Sequence, residues 1–262
     1  MMRSESNAGI VTDSVTLDVE GTYNFRSTGG FSADHGVTRA DGLYRSDALH
    51  RLGAAGSAQF QLLGISRIID LRYAAEVAQK PNALPQGSVE IVQHPIFDAA
   101  ALASLSAARS DAALPTPSLT ELTVMMVRER AEALTEAVRL IADAPEGGVL
   151  VHCTAGKDRT GMVIATALSA IGVQRAQVVS DYAATAGHLA GEWSRQRVAA
   201  YEDQLGAPVP EALIEIVTTS PPEVMIAALD AVDELYGGVE LMLRAHGLDD
   251  SALERLHARL VT

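Results

Sequence analysis

The chain has one cysteine, and its neighbours are the residues that could use it. His152, Cys153, Thr154, Ala155, Gly156, Lys157, Asp158, Arg159 and Thr160 fall in the run HCTAGKDRTG at 152–161. The β-branched stretch VLVH (149–152) leads in, and the small-residue apolar run TGMVIATALSAIG (160–172) follows, so the pattern predicts strand, tight loop and helix. The first amides of a helix lack carbonyl partners and can point at a phosphate. Successive loop amides add an anion-binding nest. Thr154, Ala155, Gly156, Lys157, Asp158 and Arg159 would supply the rim of donors, with Cys153 at its base. Gly156 permits the backbone angles such a loop needs. Arg159 offers a planar fork matched to phosphate oxygens. The same positive field favours a thiolate, and Cys153 is expected to attack phosphorus in line.

Competing readings account for less of this run. A nucleotide-binding loop needs G-x-x-x-x-G-K-[ST], but Val151 stands at its first glycine and Asp158 where a hydroxyl must hold magnesium. A lone cysteine is ordinarily a small buried hydrophobe, and Lys157–Asp158 alone would read as a solvated surface pair. Neither reading explains His before the cysteine and Asp-Arg-Thr after it. Sulfur transfer also uses a cysteine in a cradle of amides, yet gives no role to Asp158–Arg159–Thr160.

The rest of the chain must position that loop. With 262 residues, 48% of them hydrophobic, it can bury a substantial core, and we expect a single domain spanning 1–262. GLYRS (42–46), ISRIIDLR (65–72), VEIVQHPI (89–96) and VLVH read as strands, and AAGSAQFQLLG (54–64) as a helix stopped by Gly64. Apolar residues from Leu119 to Ala142 recur at helical spacing, and SPPEVMIAALDAVDELYGG (220–238) starts with Ser220 as N-cap and Pro221 at the first helical position. Residues 1–20 suggest a loose arm or edge strand, and the Ala/Ser/Pro-rich stretch 100–118 an exposed loop. Strands alternating with helices predict an α/β fold, a central, mostly parallel sheet flanked by helices. The segment 181–220, rich in charge and alanine, is expected to form a helical lid or cap, and the charges of 192–203 to form a solvated helix face.

Composition excludes several partners. The net charge of −13 argues against nucleic acid. No long apolar run is free of charge, so stable membrane insertion is not expected. A single cysteine allows no internal disulfide and no Cys-x-x-Cys metal site, and no cofactor is expected. The N-terminal residues lack a continuous apolar region, so a cytoplasmic protein is the expectation, with non-classical secretion leaving no mark in a sequence. Nothing in the pattern specifies an oligomeric state.

HCTAGKDRTG resembles the H-C-x(5)-R-[ST] signature of cysteine-dependent protein tyrosine phosphatases, and its G-K-D-R-T-G form is similar to a bacterial subfamily acting on phosphotyrosine, phosphoserine/threonine and phosphoinositides. YNFRSTGG (23–30), LYRSDAL (43–49), IIDLR (68–72), HPIFD (94–98), DY (181–182) and AVDELYGGVELMLRAHGL (231–248) resemble the same subfamily, so the likeness runs from about Tyr23 to the C-terminus. It implies a fold of the phosphotyrosine phosphatase II type and metal-independent hydrolysis of a phosphorylated protein or phosphoinositide. It implies Cys153 as nucleophile, Arg159 as clamp on the phosphoryl oxygens, and Thr160 as the hydroxyl that eases departure of the thiolate. His152 would hold the loop, and Lys157 would contact phosphate. For the general acid it points to Asp158, inside the loop. Asp98 is the candidate by position on a separate loop; it would orient Lys157 or water, or be the acid itself. Arg26, Arg45, Asp47, Asp70 and Arg72 lie in the matched stretches and read as partly buried ion pairs and hydrogen bonds bracing the loop. His94 reads as a strand-end histidine. A phosphate-recognising module without turnover is the alternative from another class.

Overall fold

The computed structural model describes residues 15–85, 87–97 and 117–262. In chain order the strands are β1 (Val15–Thr16), β2 (Arg26–Ser27), β3 (Ser32–Ala33), β4 (Gly36–Val37), β5 (Leu43–Ser46), β6 (Ile65–Asp70), β7 (Glu90–Gln93) and β8 (Gly148–His152). The helices are α1 (Ala54–Gln61), α2 (Ala74–Gln79), α3 (Leu119–Ala142), α4 (Asp158–Ala170), α5 (Arg175–Leu189), α6 (Glu192–Leu205), α7 (Glu211–Thr218), α8 (Pro222–Tyr236), α9 (Val239–Ala245) and α10 (Asp250–Leu260).

The main sheet has the order β1-β2-β5-β8-β6-β7. β5, β8, β6 and β7 run parallel, and β2 and β1 continue the sheet antiparallel at one edge. β8 is central and buried throughout. Because successive side chains of a strand face opposite ways, Val149 and Val151 enter one core and Leu150 the other. The larger core packs α3, α4, α8, α9 and α10 against one face, and the smaller gathers Phe25, Tyr44, Phe60 and Ile68 on the other. A strand covered on both sides explains why VLVH is continuously apolar. The expected α/β class with a mostly parallel sheet is therefore the observed one.

α3 spans the expected residues, opened by a Ser118–Glu121 capping box. It kinks at Arg130, where φ is −131° and ψ 20°. Three expectations need correction. β7 pairs only over Glu90–Gln93, because the chain turns off the sheet before Pro95. α8 has Pro221, not Ser220, at its N-cap, and Pro222 takes the first turn, where a missing N–H costs nothing. Ser220 Oγ serves the neighbouring helix instead, accepting from Ala186 N at 2.8 Å and donating to Ala183 O at 3.0 Å. Finally, 192–203 is not wholly a solvated face. Trp193 is buried, while Arg195, Gln196, Glu202 and Asp203 are exposed.

Candidate active site

β8 ends at His152 and α4 begins at Asp158, so residues 153–157 form the loop at the carboxyl end of the central strand. This is where open parallel sheets place ligands. The loop is held by its carbonyls. Ala48 N donates to Thr154 O at 3.2 Å. Asn24 Nδ2 reaches Ala155 O and Gly156 O at 2.9 and 3.0 Å, and Arg45 Nη2 reaches Gly156 O and Lys157 O at 2.6 and 3.3 Å. With the carbonyls of 154–157 engaged from outside the loop, its amides are left to the other side. Gly156 makes the bend: its φ is +66°, and a Cβ there would lie 2.2 Å from Ser46 O.

Behind the carbonyls lies a buried ionic cluster. Asp181 accepts from Arg26 Nε at 3.0 Å and from Arg45 Nη1, and Arg26 Nη2 donates to Asp181 O and Thr185 Oγ1. Burial opposes the Asp181 charge, but the two guanidiniums hold its pKa down at about 2. Burial and the charge of Arg45 bring Arg26 down to about 10. Asp47 takes the amides of Tyr23 and Asn24 at 2.9 and 3.0 Å, yet burial raises its pKa to about 6.

Under the cysteine, His152 Nδ1 lies 3.1 Å from Cys153 O. A carbonyl only accepts, so Nδ1 carries the proton. Its Nε2 is 3.5 Å from Asp70 Oδ2. Burial lowers the His152 pKa, and the Asp70 charge opposes that shift. Asp70 is gripped by Arg72 at 2.8 and 2.6 Å and by Asn82 Nδ2 at 3.1 Å. Burial pushes its carboxyl up, and Arg72 and His152 more than offset this.

On the cavity side, Cys153, Thr154, Ala155, Lys157, Asp158 and Arg159 line a space of about 380 Å³. Cys153 is 3% exposed. Arg159 makes a bidentate pair with Glu76, at 2.7 and 2.9 Å. Burial works against the guanidinium charge, but Glu76 outweighs it and raises the pKa above the usual range. Glu76 also accepts from Thr154 Oγ1 and from Tyr73 N. Asp158 Oδ1 accepts from Tyr182 Oη at 3.0 Å, and Gly161 makes room for that ring: a Cβ would sit 2.8 Å from Tyr182 Cδ2. Burial first, then Asp158, raises the Tyr182 pKa, so the hydroxyl stays a donor. Thr160 Oγ1 is buried with no hydrogen-bond partner among the described residues.

Lys157 lines the cavity but points its ammonium at the end of α7, donating to Ile216 O and Thr219 O at 2.5 and 2.7 Å, with Asp158 Oδ2 at 3.5 Å. Asp98 lies outside the described residues. His94 Nε2 pairs with Ala133 O at 2.7 Å, away from this cavity. Sequence reasoning missed Glu76, whose position in the first turn of α2 reads as ordinary capping; only the fold brings that turn to the β8–α4 loop. It also missed Trp193, Arg197 and Tyr201, which line the cavity mouth from α6. Their i, i+4, i+8 spacing marks one helix face and was legible.

A strand-ended thiol below outward-turned carbonyls, with an arginine at the cavity wall, is the arrangement the resemblance implies. A family model described as "Tyrosine phosphatase family" matches residues 17–262. The chain is 29% identical over 219 residues to a tyrosine-protein phosphatase of Nostoc commune, covering 80% of this chain and 71% of that protein. It is 27% identical over 244 residues to the triple specificity protein phosphatase PtpB of Mycobacterium tuberculosis, covering 80% of this chain and 87% of that protein. The chain belongs to the tyrosine phosphatase family, hydrolases of phosphoric monoesters.

Proposed function

We propose that the protein hydrolyses phosphate monoesters, phosphotyrosine foremost, through a cysteinyl-phosphate intermediate and without a metal. The observation that carries this is the convergence of Cys153, the loop with its carbonyls turned out, and Arg159 on one cavity. The Cys153 thiolate attacks phosphorus; the S–P bond forms as the bond to the leaving oxygen breaks. Arg159 and the loop amides carry the charge on the equatorial oxygens. Asp158, oriented by Tyr182, gives its proton to the leaving oxygen, a contribution of about 10²–10⁴-fold. Water then attacks phosphorus, Asp158 takes its proton, and the S–P bond breaks to release phosphate and thiolate. The free Thr160 hydroxyl is available to bond the departing sulfur.

Tyr73, Phe97, Leu122, Met126 and Trp193 give the cavity apolar walls suited to an aryl ring. Phosphoserine/threonine and phosphoinositides are the wider substrate reading. The Mycobacterium relative, whose name carries triple specificity, supports breadth. Within the segment 181–220, α6 and α7 serve as a lid on one continuous domain: Trp193, Arg197 and Tyr201 from α6 and Ile216 from α7 line the cavity, and Lys157 ties the end of α7 to the loop. A binding module without turnover is not favoured, because nucleophile, clamp and acid candidate all line one space.

The test is turnover of para-nitrophenyl phosphate in EDTA, wild type beside Cys153→Ser. Turnover that resists EDTA and vanishes in the variant supports the reading; residual turnover in Cys153→Ser refutes the nucleophile. Asp158→Asn should slow an alkyl phosphate more than the nitrophenyl ester. If Asp98→Asn shows that pattern instead, the acid is Asp98.

A further inference from the structure

The outward carbonyls of the catalytic loop are not held alike. Thr154 O takes the amide of Ala48, and Lys157 O takes both Arg45 Nη2 and Gly161 N. Gly156 O takes Arg45 Nη2 and Asn24 Nδ2. Ala155 O, among the described residues, takes Asn24 Nδ2 alone, at 2.9 Å. On the other side of these peptides, the N–H groups of Ala155, Gly156 and Lys157 donate to no group among the described residues. A trans peptide points its C=O and N–H in opposite directions, so whatever fixes Ala155 O also fixes the Gly156 N–H.

That peptide has no local reason to keep its orientation. Turning it over changes ψ of Ala155 and φ of Gly156, and glycine accepts either sign of φ. Glycine is nonetheless required at 156, because a Cβ would lie 2.2 Å from Ser46 O. The close approach therefore leaves a hinge that must be held from outside. Turned over, the peptide would withdraw the Gly156 amide from the anion nest and set Ala155 O, an acceptor, against phosphoryl oxygens.

Asn24 supplies the hold. It is fully buried, and its N–H donates to Asp47 Oδ1 at 3.0 Å. Arg26 sets which end of its side-chain amide faces the loop. Arg26 Nη1 can only donate, and it meets Asn24 Oδ1, so Nδ2 with both its protons is turned to the loop carbonyls. Arg26 is fixed in turn by Asp181 and Thr185. Of the neighbouring charged groups, Arg26 and Asp47 bond Asn24 directly, and Arg45 shares Gly156 O with it.

We propose that Asn24 is a positioning residue for phosphoryl transfer. Its Nδ2, aligned by Arg26, holds the Ala155–Gly156 peptide so that the Gly156 N–H faces the equatorial oxygens of the phosphoryl group that Cys153 attacks. The proposal rests on the catalytic reading of Cys153 and Arg159. The substitution that isolates it is Asn24→Asp, which keeps the acceptor for Arg26 and replaces the donor alone.

The experiment measures kcat/KM for para-nitrophenyl phosphate in wild type, Asn24→Asp and Asn24→Ala, and calorimetric affinity for tungstate with each in the Cys153→Ser background. Asn24→Asp should lose about 10²-fold in kcat/KM. Its tungstate affinity should fall about 10-fold. A protonated carboxyl regains a donor, so the kcat/KM deficit of Asn24→Asp against wild type should narrow from about pH 7.5 to about pH 5.5. Asn24→Ala has no proton to regain, and its deficit should be equal at both. Each ratio is taken to wild type at the same pH, which cancels the titration of Asp47 that the proteins share. If Asn24→Asp does not fold, Asn24→Ala carries the comparison. Intact kcat/KM and tungstate affinity in either folded variant would overturn the proposal, because a merely structural role moves only the unfolding midpoint. An Asn24→Asp deficit equal at the two pH values would overturn it too. If tungstate affinity falls in both Asn24 variants while wild type shows no turnover, the positioning stands and the catalytic reading fails.

Discussion

Two arginine–carboxylate assemblies meet the same loop and differ in what surrounds them. On the carbonyl side, Arg26 and Arg45 are 0% exposed and share Asp181, itself 2% exposed, and their Nη groups also hold Thr185, Asn24 and the loop itself. On the cavity side, Arg159 and Glu76 are each 18% exposed, and their pair lines an open space. A substrate cannot reach the first. At the second, a phosphate dianion can compete with Glu76 for the same planar fork. Burial, and the number of other bonds each guanidinium makes, separates scaffold from machinery where residue type does not.

The largest expected effect falls on the scaffold. Asp181→Asn strands two buried guanidiniums and should cost about 3–5 kcal/mol of stability, read by urea unfolding. The pH dependence has a defined sign. Because the folded value is about 2 against an ordinary 3.8, the stabilisation from Asp181 is complete above 3.8 and is lost as pH falls towards about 2. A variant as stable as wild type would mean that this cluster braces nothing.

Arg159→Lys keeps the charge but not the fork. Turnover should fall by about 10²–10³-fold with the unfolding midpoint little changed. A large stability loss without an activity loss would reverse the assignment of the two assemblies.

Asp47 sharpens the contrast from the other direction, since it is buried beside the loop without a cation. Its value is raised from 3.8 to about 6, so its contribution is present below 3.8 and is lost as pH rises through about 6. Wild type should lose up to about 3 kcal/mol relative to Asp47→Asn across that window. Parallel stability curves for the two proteins would contradict this.

The smallest effect is expected at Glu76. Glu76→Gln removes the charge that orients Arg159 and should lower kcat/KM by about 10-fold, with Arg159→Lys masking the loss in the double variant. Additive losses would show that Glu76 acts apart from Arg159.

Much of this was legible in the sequence. The loop announced itself, because HCTAGKDRTG is a local pattern and strand–loop–helix follows from local periodicity. The parallel sheet followed from the alternation of β-rich and helical stretches. What escaped depends on pairings distant in the chain. Glu76 meets Arg159 only because β6 and β8 are neighbours, and Arg197 comes beside Lys80 only through packing of α6. Lys157 was expected at phosphate, and its nearest bonds are carbonyls of residues 216 and 219, which no local rule reveals. Ser220 looked like a cap because the N-terminal rule reads one helix at a time, whereas its hydroxyl is held by the neighbouring α5.

The most direct test of the central claim is to quench the wild-type protein during turnover of para-nitrophenyl phosphate and map phosphoryl adducts by mass spectrometry. The account predicts a phosphoryl group on the peptide containing Cys153, absent in Cys153→Ser. Steady turnover with no adduct on Cys153, and with inversion of configuration at a chiral phosphorus, would mean direct attack by water and would contradict it.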